Sequence, residues 1–286
     1  MKIKINKQTI YNFIISIITI LLTGCSEKIA LMHPQGTIGK EEKSLILIAI
    51  TIMLIIIIPV IIMELIFCIK YRNSINKKYY KPNWHHSNII EFTIWTIPIL
   101  IIIFLATLTW ISTKKLDPNN PIQSDKHPIL IQVISLDWKW LFIYPKYNIA
   151  TINEISFPIN TPVQFQITSS SVMNSFFIPQ LGSQIYAMNG MKSTLHLIAN
   201  QTGTYQGISS NFSGSGFSKM KFTVLAKDTK NDFKTWIQNI KNSTNILDDI
   251  NYQKIQQPST HNTPIYFSYV KKNLFNNIIN NFKNTF

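Results

Sequence analysis

From Ser44 to Ile69 nearly every side chain is aliphatic, and Glu64 is the one charge within the run. At about 1.5 Å of rise per residue such a run crosses the roughly 30 Å of a bilayer's hydrocarbon, so it predicts a first transmembrane helix over 44–69. A second apolar run, 89–111, holds Pro98 inside it and Trp95 and Trp110 toward its ends, the distribution of a span with aromatic anchors. Lys70, Arg72, Lys77, Lys78 and Lys81 crowd the connector 70–88, and the positive-inside rule places such a loop in the cytoplasm. Both ends of the chain then face the periplasm. Past a turn-rich linker, 112–124, the helical period gives way to period two: Ile129, Ile131 and Val133 alternate, and Trp138, Trp140, Phe142 and Tyr144 fall on one face of an extended segment. Leu141 and Ile143 make the other face apolar as well, as in a strand covered on both sides. Further strands are predicted over 162–168, 193–198, 205–209 and 219–225, so 125–226 reads as an all-β domain. The last part, 227–286, turns helical and polar, with Phe233, Trp236 and Ile240 on one helical face and an Asn- and Lys-rich tail that makes a poor core without a partner.

The N-terminus adds a processing signal. Lys2, Lys4 and Lys7 precede an apolar run, Ile10 to Leu22, that is short for a span, and it ends in Leu22-Thr23-Gly24-Cys25. This resembles the bacterial lipobox, in which the cysteine is acylated before cleavage, so 1–24 reads as a lipoprotein signal and 25–43 as a periplasmic segment leading into the first span.

Composition excludes more than it adds. Among 286 residues 46% are apolar and 14% charged, which fits a chain partly in lipid. The net charge of +14 is spread over the whole length, so it makes no phosphate-binding footprint and argues against nucleic acid. Cys25 and Cys68 are the only cysteines, which leaves the β-domain without any thiol. Glu64 reads as a carboxylate that snorkels or pairs near the cytoplasmic surface. Glu91, at the start of the second span, either caps that helix's positive end or delivers protons to a partner. The aromatic run 138–144 reads first as core filling, with Trp138 and Trp140 as candidates for contact with another subunit.

Several segments carry a resemblance. Glu91-Phe92-Thr93-Ile94-Trp95-Thr96-Ile97-Pro98, Asp137-Trp138-Lys139-Trp140 with Phe142 and Tyr144, Ser175-Phe176-Phe177-Ile178-Pro179-Gln180-Leu181-Gly182, and Tyr266-Phe267-Ser268-Tyr269-Val270 resemble segments of subunit II of the haem–copper terminal oxidases. The last is typical of the quinol-oxidising branch, the cytochrome o type, which lacks the dinuclear copper centre. The resemblance implies a membrane protein with a two-helix transmembrane hairpin, a periplasmic cupredoxin-like domain over 125–226 and a helical C-terminal extension. Copper-bearing members hold their metal with two bridging thiolates, two imidazoles, a thioether and a carbonyl donor. On this sequence those positions fall on Ser209 and Ser213, Phe217 and Asn174, Met220 and Asn211, and only Met220 keeps a ligand type. Thiolate and imidazole are what such copper ions need, so the resemblance implies no metal in this subunit. It also implies that ubiquinol is the electron donor, that haem b, haem o and copper sit in subunit I, and that small membrane subunits III and IV complete a proton-pumping complex that reduces oxygen. Cytochrome c has no entry point. Glu91 matches the family's carboxylate at the mouth of the proton channel. Two other readings are a copper-carrying cytochrome c oxidase subunit and a copper-free cupredoxin-like lipoprotein that serves as an oxidase assembly or scaffold factor.

Overall fold

The computed structural model describes Asn12, Ser16 and residues 29–71, 85–260 and 263–283. The Cys25 lipobox and most of the basic connector, with Arg72, Lys77, Lys78 and Lys81, lie outside the described residues. Two long helices lead into the β-domain: α1, Thr37–Lys70, and α2, Asn88–Lys115. Gly39 is the one buried residue of α1, and α2 has none. Helices that are apolar all round and packed on so little of their own chain suit lipid or neighbouring helices as their solvent. The first helix begins before its apolar run, because its opening turns grip the β-domain instead of lipid. Gln35 N–H donates to Gln180 O at 2.7 Å and Gly39 N–H to Leu181 O at 3.0 Å, while Glu42 Oε1 accepts from Ser183 N–H at 2.9 Å. Gly182 takes φ +92°, and a Cβ there would fall 2.7 Å from the Gly39 backbone nitrogen, so glycine is required for this close approach. Lys115 Nζ meets Glu41 Oε2 at 2.6 Å and ties the far end of α2 to the same point.

The β-domain is a sandwich. Its strands are β1 (Ile129–Leu136), β2 (Lys139–Tyr144), β3 (Ile149–Ile152), β4 (Glu154–Pro158), β5 (Val163–Ser169), β6 (Asn174–Phe177), β7 (Gln184–Ala187), β8 (Ser193–Leu197), β9 (Gly203–Ser209) and β10 (Lys221–Lys227). One sheet runs β12-β3-β2-β1-β5-β8, where β12 is Ile265–Phe267, and the other β4-β10-β9-β6-β7. Pairs β1–β5 and β4–β10 are parallel, and the remaining named pairs in these two sheets are antiparallel. Trp140, Phe142 and Tyr144 point between the sheets, where Phe176 and Phe222 stack at 5.1 Å between ring centres. Trp140 has no exposed surface, which corrects its place as a subunit-contact candidate: the interior consumes the whole ring. Trp138 corrects the single extended segment, since it sits in the β1–β2 turn at φ +63° and only half-buried.

The C-terminal extension finds its partner within the chain. Helix α3, Lys230–Lys241, starts at a capping box between Thr229 and Asp232 and sends Phe233, Trp236, Ile237 and Ile240 into the sandwich core. After β11 (Ile246–Leu247) and α4 (Asp249–Gln256), β12 joins the edge of the first sheet and β13 (Tyr269–Val270) pairs with β11. Helix α5, Leu274–Lys283, then lays Leu274, Phe275, Ile278 and Ile279 over Ile134, Leu136, Leu141 and Ile143. Strands β1 and β2 are therefore covered on both faces, as the double-sided apolar pattern of 138–144 predicts. The tail makes a second core, at about 1.5 to 3 kcal/mol per fully buried large side chain, because it has a ready apolar sheet to close upon.

One carboxylate joins this extension to the domain. Glu154 Oε1 accepts from the Trp236 indole N–H at 2.9 Å and from the Tyr266 hydroxyl at 3.0 Å. Burial first, then the charge of Glu154 and the hydrogen bond to it, push the Tyr266 hydroxyl up to about 12 from 10.0. Replacing Glu154 with Leu leaves the buried Trp236 donor unpaired and should cost about 1 to 3 kcal/mol. The readout is the temperature at which the C-terminal segment of the detergent-solubilised full chain becomes open to protease; an unchanged midpoint would remove Glu154 as the joint. The unfolded tyrosine ionises first on raising the pH, so its share of stability is complete below pH 10.0 and disappears as pH rises through about 12. Tyr266→Phe should abolish that part of the alkaline loss.

Candidate functional site

The six positions matched to copper ligands come from three places: the start of β6, the end of β9 and the loop that returns to β10. Pairing of Phe176 with Ser209 brings the first two together. There Ser209 Oγ–H donates to Asn174 Oδ1 at 3.0 Å, with Asn211 O as a second acceptor at 3.3 Å. Asn174 Nδ2 donates to Val172 O and Asn211 Nδ2 to Met173 O, each at 3.2 Å. These side chains stitch loop 172–174 to loop 209–212 with ordinary neutral hydrogen bonds. Sequence reasoning leaves open whether Ser209 and Ser213 bond each other; the Ser213 hydroxyl is buried and has no hydrogen-bond partner among the described residues. Phe217 turns to Phe212, ring centres 5.8 Å apart, and Met220 is buried in the core of the sandwich.

Trp138 closes this end. Its indole N–H donates to Ser213 O at 3.1 Å, and its ring lies so near the loop that a Cβ on Gly216 would fall 2.1 Å from Cδ2. The positive φ of Trp138 aims the ring across the sandwich end at the loop and away from the β2 row. The ring thus braces the loop.

The donor set does not fit a dinuclear copper centre. Its oxygen donors are neutral hydroxyls and amides, two of them, Ser209 and Asn174, bonded to each other, and a single thioether supplies neither the charge nor the softness of bridging thiolates. Among the described residues no group of three or more His, Cys, Asp or Glu side chains is placed to hold a metal ion.

Glu91 lies elsewhere, in the first turn of α2, where Oε1 is 3.3 Å from His86 Nε2 and both side chains are about half exposed. Its N–H bonds Ser87 O, so the carboxylate sits beside the helix's positive end and open to solvent. His86 as its neighbour is missed by the sequence reading, although the five-residue spacing across a helix start could have pointed to it. Lys139 is missed as well: it is buried, with Nζ donating to Gln257 O at 2.8 Å and to Ser259 Oγ at 2.6 Å. Burial lowers its pKa, against the raising effect of Asp137. These bonds fasten the stretch after α4, and nothing in the local pattern 137–140 distinguishes a lysine so placed.

Comparison with known proteins adds the family. The family described as cytochrome c oxidase subunit II, periplasmic domain, matches residues 145–227, and the COX aromatic rich motif matches 241–285. Cytochrome bo(3) ubiquinol oxidase subunit 2 of Pseudomonas aeruginosa is 51% identical over 264 residues, 92% of this chain and 79% of that one. The protein of the same description from Buchnera aphidicola subsp. Schizaphis graminum is 52% identical over 281 residues, 97% of this chain and 96% of its own. Among solved structures, the periplasmic domain of subunit II of cytochrome oxidase from Bradyrhizobium japonicum aligns at 20% identity with a TM-score of 0.39, covering 42% of this chain and 96% of that one. With about half of its residues shared with such relatives over more than nine-tenths of its own length, this chain belongs to the subunit 2 family of the cytochrome bo(3) ubiquinol oxidases.

Proposed function

We propose that the chain works as a metal-free subunit II of a membrane ubiquinol oxidase, supporting a complex that oxidises ubiquinol, reduces oxygen to water and pumps protons. The observation that carries this reading is the loop pocket, where Ser209 and Asn174 occupy ligand positions and hydrogen-bond each other. Electrons then bypass this chain. They pass from ubiquinol to haem b, haem o and copper held in subunit I, and cytochrome c has no port here. The chain itself carries no reacting group; it holds subunit I, together with the small subunits III and IV, through two membrane helices and a rigid periplasmic domain. In this reading Cys25 bears the lipid anchor, residues 70–88 form the cytoplasmic loop, and both mature ends lie on the periplasmic side of the bacterial inner membrane.

Glu91 is the residue we assign to proton delivery. An exposed carboxylate beside an imidazole, at the end of a span and in contact with water, can collect protons and pass them toward a channel in subunit I. Its position at a helix start also stabilises α2 slightly, by about 0.3 to 1 kcal/mol. The two roles separate experimentally. Glu91→Gln should leave assembly intact while slowing proton-coupled haem reduction about tenfold or more in a stopped-flow assay, and Glu91→Asp should restore most of the rate; unchanged kinetics in Glu91→Gln would leave only the capping role.

The complex-level reading is tested by purifying the full assembly through this chain in mild detergent. Co-purifying haem b and haem o with ubiquinol-dependent oxygen uptake is the expected result. Recovery of the chain without haem, while the membranes retain normal quinol oxidase activity, would favour an assembly factor instead.

A further inference from the structure

Glu64 is the one charged side chain between Leu45 and Ile69. Ile57 is the midpoint of that stretch, so Glu64 lies about 10 Å past the middle of the span and about 9 Å short of Lys70. It is exposed on α1 and makes no hydrogen bond or ion pair with any of the described residues. The nearer membrane surface is therefore the one at the C-terminal end of the helix. Side chains on an α-helix lean toward its N-terminus. Glu64 thus leans toward the bilayer centre, against the direction in which it must stretch to reach water at Lys70. A carboxyl group in hydrocarbon, ionised or not, leaves polar atoms unsatisfied unless a donor comes to it, and such residues in membrane helices face neighbouring protein.

The helix period puts Met53, Ile57, Val60 and Cys68 on the same face as Glu64, and all of them are exposed. We propose that this face of α1 is a docking surface for a transmembrane helix of another oxidase subunit, one that presents a hydrogen-bond donor or a cation to Glu64 at that depth. The proposal rests on the reading of the chain as an oxidase subunit and adds which side of the first helix is covered and by what chemistry. Of the two sequence expectations for Glu64, snorkelling or pairing near the cytoplasmic surface, it takes up the pairing one and places the partner on a neighbouring helix. Apolar packing on both sides of the carboxylate fixes where the partner helix lies, and the single polar contact fixes its depth.

The test uses the assembled complex in native membranes. A photoreactive benzophenone amino acid replaces Cys68, one turn from Glu64, and in a second variant replaces Ile57, two turns away on the other side. Irradiation should give a covalent adduct with another oxidase subunit at one or both positions; adducts with lipid alone at both would overturn the proposal. In parallel, Glu64→Leu should lower the fraction of this chain retained with the haem-bearing subunit in a harsh detergent by about three- to tenfold, and Glu64→Gln, which still hydrogen-bonds, should retain most of it. Equal retention in the two variants and the unsubstituted chain would contradict the polar contact. Quinol-dependent oxygen uptake by the unsubstituted complex reports separately on the oxidase reading, so failure of the docking surface is distinct from failure of that reading.

Discussion

At one end of the sandwich two loops, 172–174 and 209–213, meet at the positions matched to copper ligands, and a hydroxyl-to-amide hydrogen bond joins them. The bond between Ser209 and Asn174 is modest, about 0.5 to 1.5 kcal/mol net for a neutral pair. It is nonetheless the contact on which the functional account depends. Copper requires deprotonated sulfur and imidazole, and this pocket offers neutral oxygen donors, of which Ser209 and Asn174 already bond each other. Further contacts brace the same loops. Trp138 presses on Gly216 and bonds Ser213 O, Asn211 bonds Met173 O, and Met220 is drawn into the aromatic core. In the proposed reading this end of the domain serves as a rigid corner of a scaffold.

That scaffold is braced from both sides. Strand β2 and the second half of β1 bury one face between the sheets and the other under α5, so the sheet packed against the one that carries the loop pocket has no solvent face there. Two polar joints hold the covering segment in register, Glu154 with Trp236 and Tyr266, and Lys139 with Gln257 and Ser259. At the membrane end, hydrogen bonds from Gln35 and Gly39 to the 180–181 loop, with Glu42 on Ser183, make α1 continuous with the domain. Movement of the helices relative to the sandwich would break these bonds together.

Much of this was legible in the sequence, and the gaps have physical reasons. Strands with clear alternation or strong aromatic content, β1, β2, β5, β8, β9 and β10, were readable by period. Strands β3, β4, β6 and β7 were not, being four or five residues long; β3 is buried at every position, so it has no polar face to mark it. Trp138 mimicked a strand residue because one left-handed turn residue preserves the spacing of aromatics while changing where the ring points. Chemistry was clearest where it depends on residue type alone: the missing sulfur and imidazole at 174, 209, 213 and 217 needed no coordinates. What the sequence could not supply were pairings over long separations, such as Glu154 with Tyr266 or Lys139 with Ser259, since no local pattern encodes a partner more than a hundred residues away.

The most direct measurement is electron paramagnetic resonance of the oxidised, intact complex after incubation with excess copper and removal of free metal. The account predicts no mixed-valence dinuclear copper signal, with copper confined to the haem-bearing subunit. A dinuclear signal that disappears when Met220 is replaced by Leu would place metal in the loop pocket and contradict the account.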